Sequence, residues 1–164
     1  METKNQLQMK TVTKAIFSLG LIILALLSFN LRSVETTAEE DAVKKVVLES
    51  YINGAFNELD AKAMENGFHK DFAIYTAKGE EISKYPINDW VAGVRKRKAD
   101  GYDPTDEKKI FKHNFAYVDV TGGSAHVKVE LSNNGKKIYT DYLSLMKFES
   151  GWKIVAKVYH KHKF

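Results

Sequence analysis

The side chains of this sequence best suited to acid–base work near neutral pH are its five histidines, supported by eight tyrosines. Histidine is the side chain whose ordinary pKa lies closest to physiological pH. The stretch from Trp152 to His160 alternates as Trp152, Ile154, Ala156, Val158 and His160. Upstream, Ile138, Thr140, Tyr142, Ser144, Met146 and Phe148 alternate in the same way. In an extended strand every second residue shares a face. If these apolar members face a cavity, His160 stands at its rim, and Tyr142, Ser144 and His160 converge with Tyr51 in one concave site. A mostly apolar pocket holding a few polar groups is a natural ligand site. In it His160 would be the base and Tyr51 the acid of a proton transfer. The competing reading makes these residues ordinary core and rim positions with satisfied hydrogen bonds.

Other candidates carry less chemistry. His69 and Asp71 fall on one face of an extended segment, where a structural role at a chain corner competes with catalysis. His160 and His162 are two apart, and His113 and His126 lie on neighbouring strands, but no third ligand stands at fixed spacing. There is no H-x-x-x-H helix and no cysteine, so neither a metal site nor another cofactor is expected. Gly122-Gly123 joins two strands without a following helix and makes no phosphate loop. The basic run Arg95-Lys96-Arg97-Lys98 reads as a solvated helix end helped by the helix dipole, with a membrane-surface contact as runner-up. Trp90 is the best aromatic wall for a flat ligand.

The elements that must position these groups follow from periodicity. Thr37-Ala38-Glu39-Glu40 reads as a capping box. Behind it Val43, Val46, Val47, Tyr51, Gly54, Ala55 and Leu59 recur at helical spacing, which predicts an amphipathic helix of about five turns. Asp60 caps a second, shorter helix ending near Gly67. His69 to Ala77 is a strand closed by the Lys78-Gly79 turn. A third helix starts at Pro86, which suits a first turn, and ends at Asp100-Gly101. From Lys109 onward the period changes to two, with strands Ile110 to Thr121, 124–131, Lys137 to Phe148 and Trp152 to His160. Asn133-Asn134-Gly135 is a hairpin signal, because Asn-Gly supplies positive φ. Helices first and strands afterwards mean α+β. Amino-terminal helices would pack in a strongly curved, mixed or antiparallel sheet of four to five strands, leaving a conical, cystatin-like cavity.

The first 38 residues stand apart. Three lysines in the first 14 residues precede an apolar run from Ala15 to Phe29. A basic head before about 7–15 apolar residues is an export signal, and this run falls short of the ~20 residues of a comfortable membrane span. With no clean cleavage site after Phe29, residues 1–38 are expected to be a signal peptide or an amino-terminal anchor, and residues 39–164 the domain. The location expected is periplasmic or extracellular, with membrane attachment only through residues 15–29 if the leader is uncut. The formal charge of +4 dissolves on division. Four of the 25 basic residues and two of the 21 acidic ones lie in residues 1–38, leaving the rest at +2. A domain so nearly neutral carries no nucleic-acid footprint.

The order of elements resembles the nuclear transport factor two-like superfamily. Tyr51-Ile52-Asn53-Gly54-Ala55-Phe56-Asn57-Glu58-Leu59-Asp60, followed by Gly67-Phe68-His69, looks like its first helix, turn and passage into the sheet. Tyr139-Thr140-Asp141-Tyr142-Leu143-Ser144-Leu145 and Gly151-Trp152-Lys153-Ile154-Val155-Ala156-Lys157 resemble the last two strands of its lumazine-binding subgroup. The superfamily contains isomerases, dehydratases and cyclases, and fold does not settle function. Tyr51 matches the isomerases' oxyanion-donating tyrosine. Their carboxylate base has no counterpart in Ala73-Ile74-Tyr75-Thr76-Ala77, and their second acid falls at Ser144. Steroid isomerase chemistry is therefore not expected.

The expectation is an exported domain that binds a small apolar or aromatic molecule without turning it over, through Tyr51, Trp90, Tyr142, Ser144 and His160. The alternatives are an enzyme of the dehydratase, cyclase or isomerase type using His160 and Tyr51, and an interaction module that forms a homodimer through its open sheet face.

Overall fold

The computed structural model describes residues 38–163. The expected leader, its apolar run and Thr37 of the capping box lie outside the described residues. Among the described residues no helix is long and apolar enough to cross a membrane.

The first helix, α1, occupies residues 38–57 and winds as a π-helix over Val47–Asn57. The Glu58 N–H closes the wide turn on the Asn53 carbonyl, five residues back, at 2.8 Å. Such winding stacks residues i and i+5, and Tyr51 and Phe56 accordingly meet edge to face with centroids 5.3 Å apart. Val47, Tyr51, Ile52 and Ala55 are buried along this stretch. Helix α2, Ala61–Gly67, begins where Asp60 accepts from the backbone N–H groups of Lys62 and Ala63, as a capping carboxylate should. It packs so closely on α1 that a Cβ on Gly67 would stand 1.9 Å from Ser50 Oγ. Helix α3, Ile87–Ala99, starts directly after Pro86 and buries Ile87, Trp90, Val91 and Val94.

Six strands form one sheet. They are β1 (Phe68–Lys78), β2 (Glu81–Pro86), β3 (Lys112–Thr121), β4 (Ser124–Asn133), β5 (Lys136–Phe148) and β6 (Gly151–Lys161), in the order β2-β1-β6-β5-β4-β3. All neighbours are antiparallel except β1 and β6. The architecture is the expected α+β, with one strand more than the sequence pattern predicts. That strand is β2, exposed along its whole length. It lies at the sheet edge and is held by its antiparallel ladder with β1. A fully exposed edge strand leaves no apolar alternation to read.

One face of the sheet packs on the helices. Val127, Val129 and Leu131 of β4, Leu143 and Leu145 of β5, and Trp152 and Ile154 of β6 are buried with Val43, Val47, Tyr51, Ile52 and Trp90. The cross-strand pairs Val127 with Leu143 and Val129 with Asp141 put Asp141 on that inner face. The β5–β6 register then shifts. Ser144 pairs with Ala156 but Leu145 with Ile154, so Val155 is an extra residue. A one-residue bulge flips the parity of a strand. Before it Trp152 and Ile154 point inward; after it Lys157 and Tyr159 do.

Candidate functional site

The bulge at Val155 decides which groups meet. Leu143 pairs with Lys157 and Asp141 with Tyr159, so Lys157 and Asp141 are diagonal neighbours on the inner face. Helix α1 lowers Tyr51 onto them. Lys157 Nζ donates to Tyr51 Oη at 2.6 Å, and Tyr51 Oη donates to Asp141 Oδ2 at 2.7 Å. Lys157 Nζ also stands 2.9 Å from Asp141 Oδ1, an ion-pair contact. Among the described residues no other donor reaches this buried oxygen. Tyr51 and Asp141 are fully buried and Lys157 is 4% exposed.

Aromatic rings enclose the ammonium. Its nitrogen lies 4.7 Å from the Tyr51 centroid, 4.9 Å from Tyr159, 5.6 Å from Trp90 and 5.9 Å from both Phe56 and Tyr139. These distances are in the range of cation–π attraction. Burial pushes the Lys157 ammonium below its ordinary pKa of 10.5, opposed by the Asp141 charge. Burial first, and then the Asp141 carboxylate, hold the Tyr51 phenol well above its ordinary 10.0. Two charges in a core carry a large desolvation cost, and removing one partner from such a pair destabilises by about 3–5 kcal/mol. Buried charged clusters of this kind mark functional sites more often than chance.

The residues singled out from the sequence divide between the two faces. Tyr51 and Trp90 come together inside, with centroids 6.0 Å apart. Tyr142, Ser144 and His160 lie on the opposite, outer face. There Tyr142 pairs with Val158, Ser144 with Ala156 and Thr140 with His160. Tyr142 packs beside His126 and under Lys128, and the His160 ring lies 4.7 Å from that of His162. His160 and Tyr51 therefore share no cavity. The alternation of Tyr142, Ser144 and Met146 is the outward phase of β5, and on β6 the run from Trp152 to His160 keeps no single face across the bulge. These alternations therefore point away from Asp141 and Lys157. For Asp141 a signal existed: it alternates with the apolar residues Tyr139, Leu143 and Leu145, so a lone carboxylate sits in phase with a core row. Asp141, three residues before Ser144 on the same strand, faces inward and is fully buried. For Lys157 no local pattern announces the bulge.

The remaining polar groups have structural partners. Arg95 pairs with Glu65 and Lys96 with Asp100, while Arg97 and Lys98 donate to the Ala55 and Glu58 carbonyls at the end of α1. Cations there complement the helix dipole. His69 Nδ1 accepts from the Asp71 backbone N–H, and its ring stacks on Phe148. Among the described residues no group of three or more histidines and carboxylates is arranged to hold a metal ion. Outside the aromatic cage a shallow groove of about 320 Å³ runs along Phe56, Arg97, Tyr102, Lys108, Lys109, Phe111 and Asn133. Phe56 lines this groove and also lies 5.9 Å from Lys157 Nζ.

Comparison with known proteins agrees with this architecture. Residues 38–160 match the model of the family described as "Putative lumazine-binding". The chain is 28% identical over 128 residues to the aldolase FrzH of Cladobotryum sp, covering 77% of this chain and 94% of that one. Among solved structures, an NTF2-like protein of unknown function from Shewanella baltica superposes with a TM-score of 0.59 at 24% identity, covering 78% of this chain and 97% of that one. Another from Methylobacillus flagellatus gives 0.54 at 28% identity, covering 75% and 91%. A domain of unknown function with a cystatin-like fold from Nostoc punctiforme gives 0.53 at 17% identity, covering 79% and 80%.

Proposed function

The chain belongs to the family described as "Putative lumazine-binding", and on that premise we propose that it is a small-molecule enzyme acting on a flat, largely apolar carbonyl compound. The carrying observation is the donor chain from Lys157 through Tyr51 to Asp141 inside an aromatic cage. A phenol held between an ammonium and a carboxylate can give a proton to a developing oxyanion and recover it from the lysine. The carboxylate can take a proton from the carbon beside the carbonyl. The expectation of a non-catalytic domain rested on missing acids, and Asp141 and Lys157 change that inventory. The relative named an aldolase supports carbonyl chemistry.

The test is a ligand and turnover screen of the full chain with lumazine, aromatic ketones and aromatic aldehydes. Quenching of Trp90 fluorescence reads binding, proton NMR reads conversion, and native mass spectrometry reads any copurifying molecule. Binding that Tyr51→Phe weakens, with conversion of a carbonyl compound, supports the proposal. Saturable binding without conversion of any member would favour the small-molecule carrier instead. No binding and no copurifying molecule would remove both.

Two further proposals accompany it. The outer sheet face exposes Tyr117, Tyr142, Met146 and Val158 around Lys128, large apolar side chains suited to pairing with a second copy, and homodimerisation through this face is the reading we adopt. Export of the domain rests on the basic head and apolar run of the first 38 residues, and amino-terminal sequencing of the protein from fractionated cells tests it.

A further inference from the structure

We propose that Lys157 is a Schiff-base nucleophile for aldehydes and ketones, with Tyr51 moving the protons and Asp141 taking the hydrogen next to the carbonyl. The inference deepens the function proposed above and rests on it, but it makes the substrate bond covalent. Among the described residues Lys157 is the one buried amine. Its surroundings are those that make an amine a nucleophile: rings in place of water, and a phenol oxygen 2.6 Å away to accept its proton. The depressed ammonium pKa has the same physical origin. Apart from its 2.9 Å ion-pair contact with Lys157 Nζ, Oδ1 of Asp141 has no partner among the described residues. When the nitrogen turns to a substrate, that oxygen is left beside it to act as a base. Of the rings around the amine, Tyr159 is 39% exposed and marks the side from which a carbonyl compound would approach.

The chemistry balances without any added reagent. Lys157 first passes one ammonium proton to Tyr51 Oη as Tyr51 passes its own to Asp141. The free amine bonds to the carbonyl carbon while the C=O π pair moves to oxygen, which takes the Tyr51 proton, and the nitrogen returns a proton to Tyr51. Asp141 then sends its proton back through Tyr51 to the hydroxyl, the C–O bond breaks, oxygen leaves as water, and the nitrogen pair closes the C=N bond. In sum, one ammonium and one carbonyl give one iminium and one water. Asp141 Oδ1 next takes a hydrogen from the neighbouring carbon. The C–H electrons form a C=C bond and the C=N pair returns to nitrogen, leaving a neutral enamine and a carboxylic acid.

The probe is 1-phenylpropan-2-one, an aromatic ketone with exchangeable hydrogens, incubated with the full chain and sodium cyanoborohydride. The expected product carries the mass of the ketone less one oxygen, on the peptide containing Lys157. Labelling there should exceed that of each exposed lysine severalfold, because desolvation leaves more of this amine unprotonated and the rings hold the ketone against it. Lys157→Arg keeps the charge and should abolish the adduct. Without reductant, in heavy water, the ketone should exchange its hydrogens, and Asp141→Asn should slow this about a hundredfold. Tyr51→Phe is the second variant should Asp141→Asn fail to fold, and thermal melts monitor both. Labelling spread evenly over exposed lysines overturns the inference. Ketone binding seen by fluorescence with no adduct on Lys157 overturns it while leaving the proposed function standing. No binding at all overturns both.

Discussion

Lys157 Nζ donates a 2.6 Å hydrogen bond to Tyr51 Oη across 106 positions of sequence. Tyr51 is thus both acceptor and donor, because its own hydroxyl points to Asp141 Oδ2. Removing that hydroxyl with Tyr51→Phe keeps the ring contacts to Phe56, Phe68 and Trp90 but leaves a buried ammonium and carboxylate each short of a partner. The loss expected is about 1–3 kcal/mol, measured by urea denaturation, with affinity for any screened ligand falling alongside.

Lys157 also fixes an alkaline pH dependence. Its pKa is lowered in the folded state, so the unfolded chain binds the extra proton between the folded value and 10.5. Stability therefore rises with pH through that window. Tyr51 acts with the opposite sign: its folded pKa lies well above 10.0, so stability falls once the unfolded phenol ionises above that value. Lys157→Met, which leaves Asp141 unpaired, should melt below the wild type, and the gap should widen as pH rises from 8 toward 10. A constant difference would argue against a desolvated lysine.

Glu39 supplies the acid limb. Its carboxylate accepts from Lys147 Nζ at 2.6 Å and from Trp152 Nε1 at 2.8 Å, tying the start of α1 to the β5–β6 hairpin. The hydrogen bond from Lys147, then that from Trp152, hold its pKa below the usual 4.5. Its contribution is complete above the unfolded value and disappears as pH falls through the folded one. Glu39→Gln should melt earlier than the wild type at pH 7, with the gap closing toward pH 3 in the same scan.

Gly67 is a packing determinant of the α1–α2 corner. Gly67→Ala should cost about 1–3 kcal/mol, because the new methyl overlaps Ser50 Oγ and Cβ. Adding Ser50→Gly should recover part of the loss despite its own helix penalty. Chemical denaturation of the two variants measures both effects.

The outer sheet face gives a test of assembly. Replacing Tyr142 and Met146 together with lysine changes no buried residue. In light scattering after gel filtration the wild type should run as a dimer and the double variant as a monomer, with equal melting temperatures at low concentration. A monomeric wild type at every concentration would end the proposal.

Much of the fold is legible in the residues themselves. The spacing of Val43, Val47 and Tyr51 defines one side of α1. Asp60 and Pro86 open the next two helices, and Asn134-Gly135 makes the turn before β5. Strict alternation in Ala125, Val127, Val129 and Leu131 names the inner face of β4. These are local signals, set by periodicity and turn chemistry within a few residues. They establish an α+β chain, and Tyr51 and Trp90 as interior candidates.

Only the tertiary structure decides what Tyr51 meets. A strand's pattern says which residues share a face but not which face is inward, and a single inserted residue exchanges the two. Val155 is that residue. It turns Lys157 and Tyr159 into the core and leaves His160 outside, because the parity of β6 is set by its register on β5, while the register of β5 on β4 turns Tyr142 and Ser144 outward. Register is a long-range property of backbone pairing, so the chemical centre of this protein is assembled by a shift that its sequence does not spell locally.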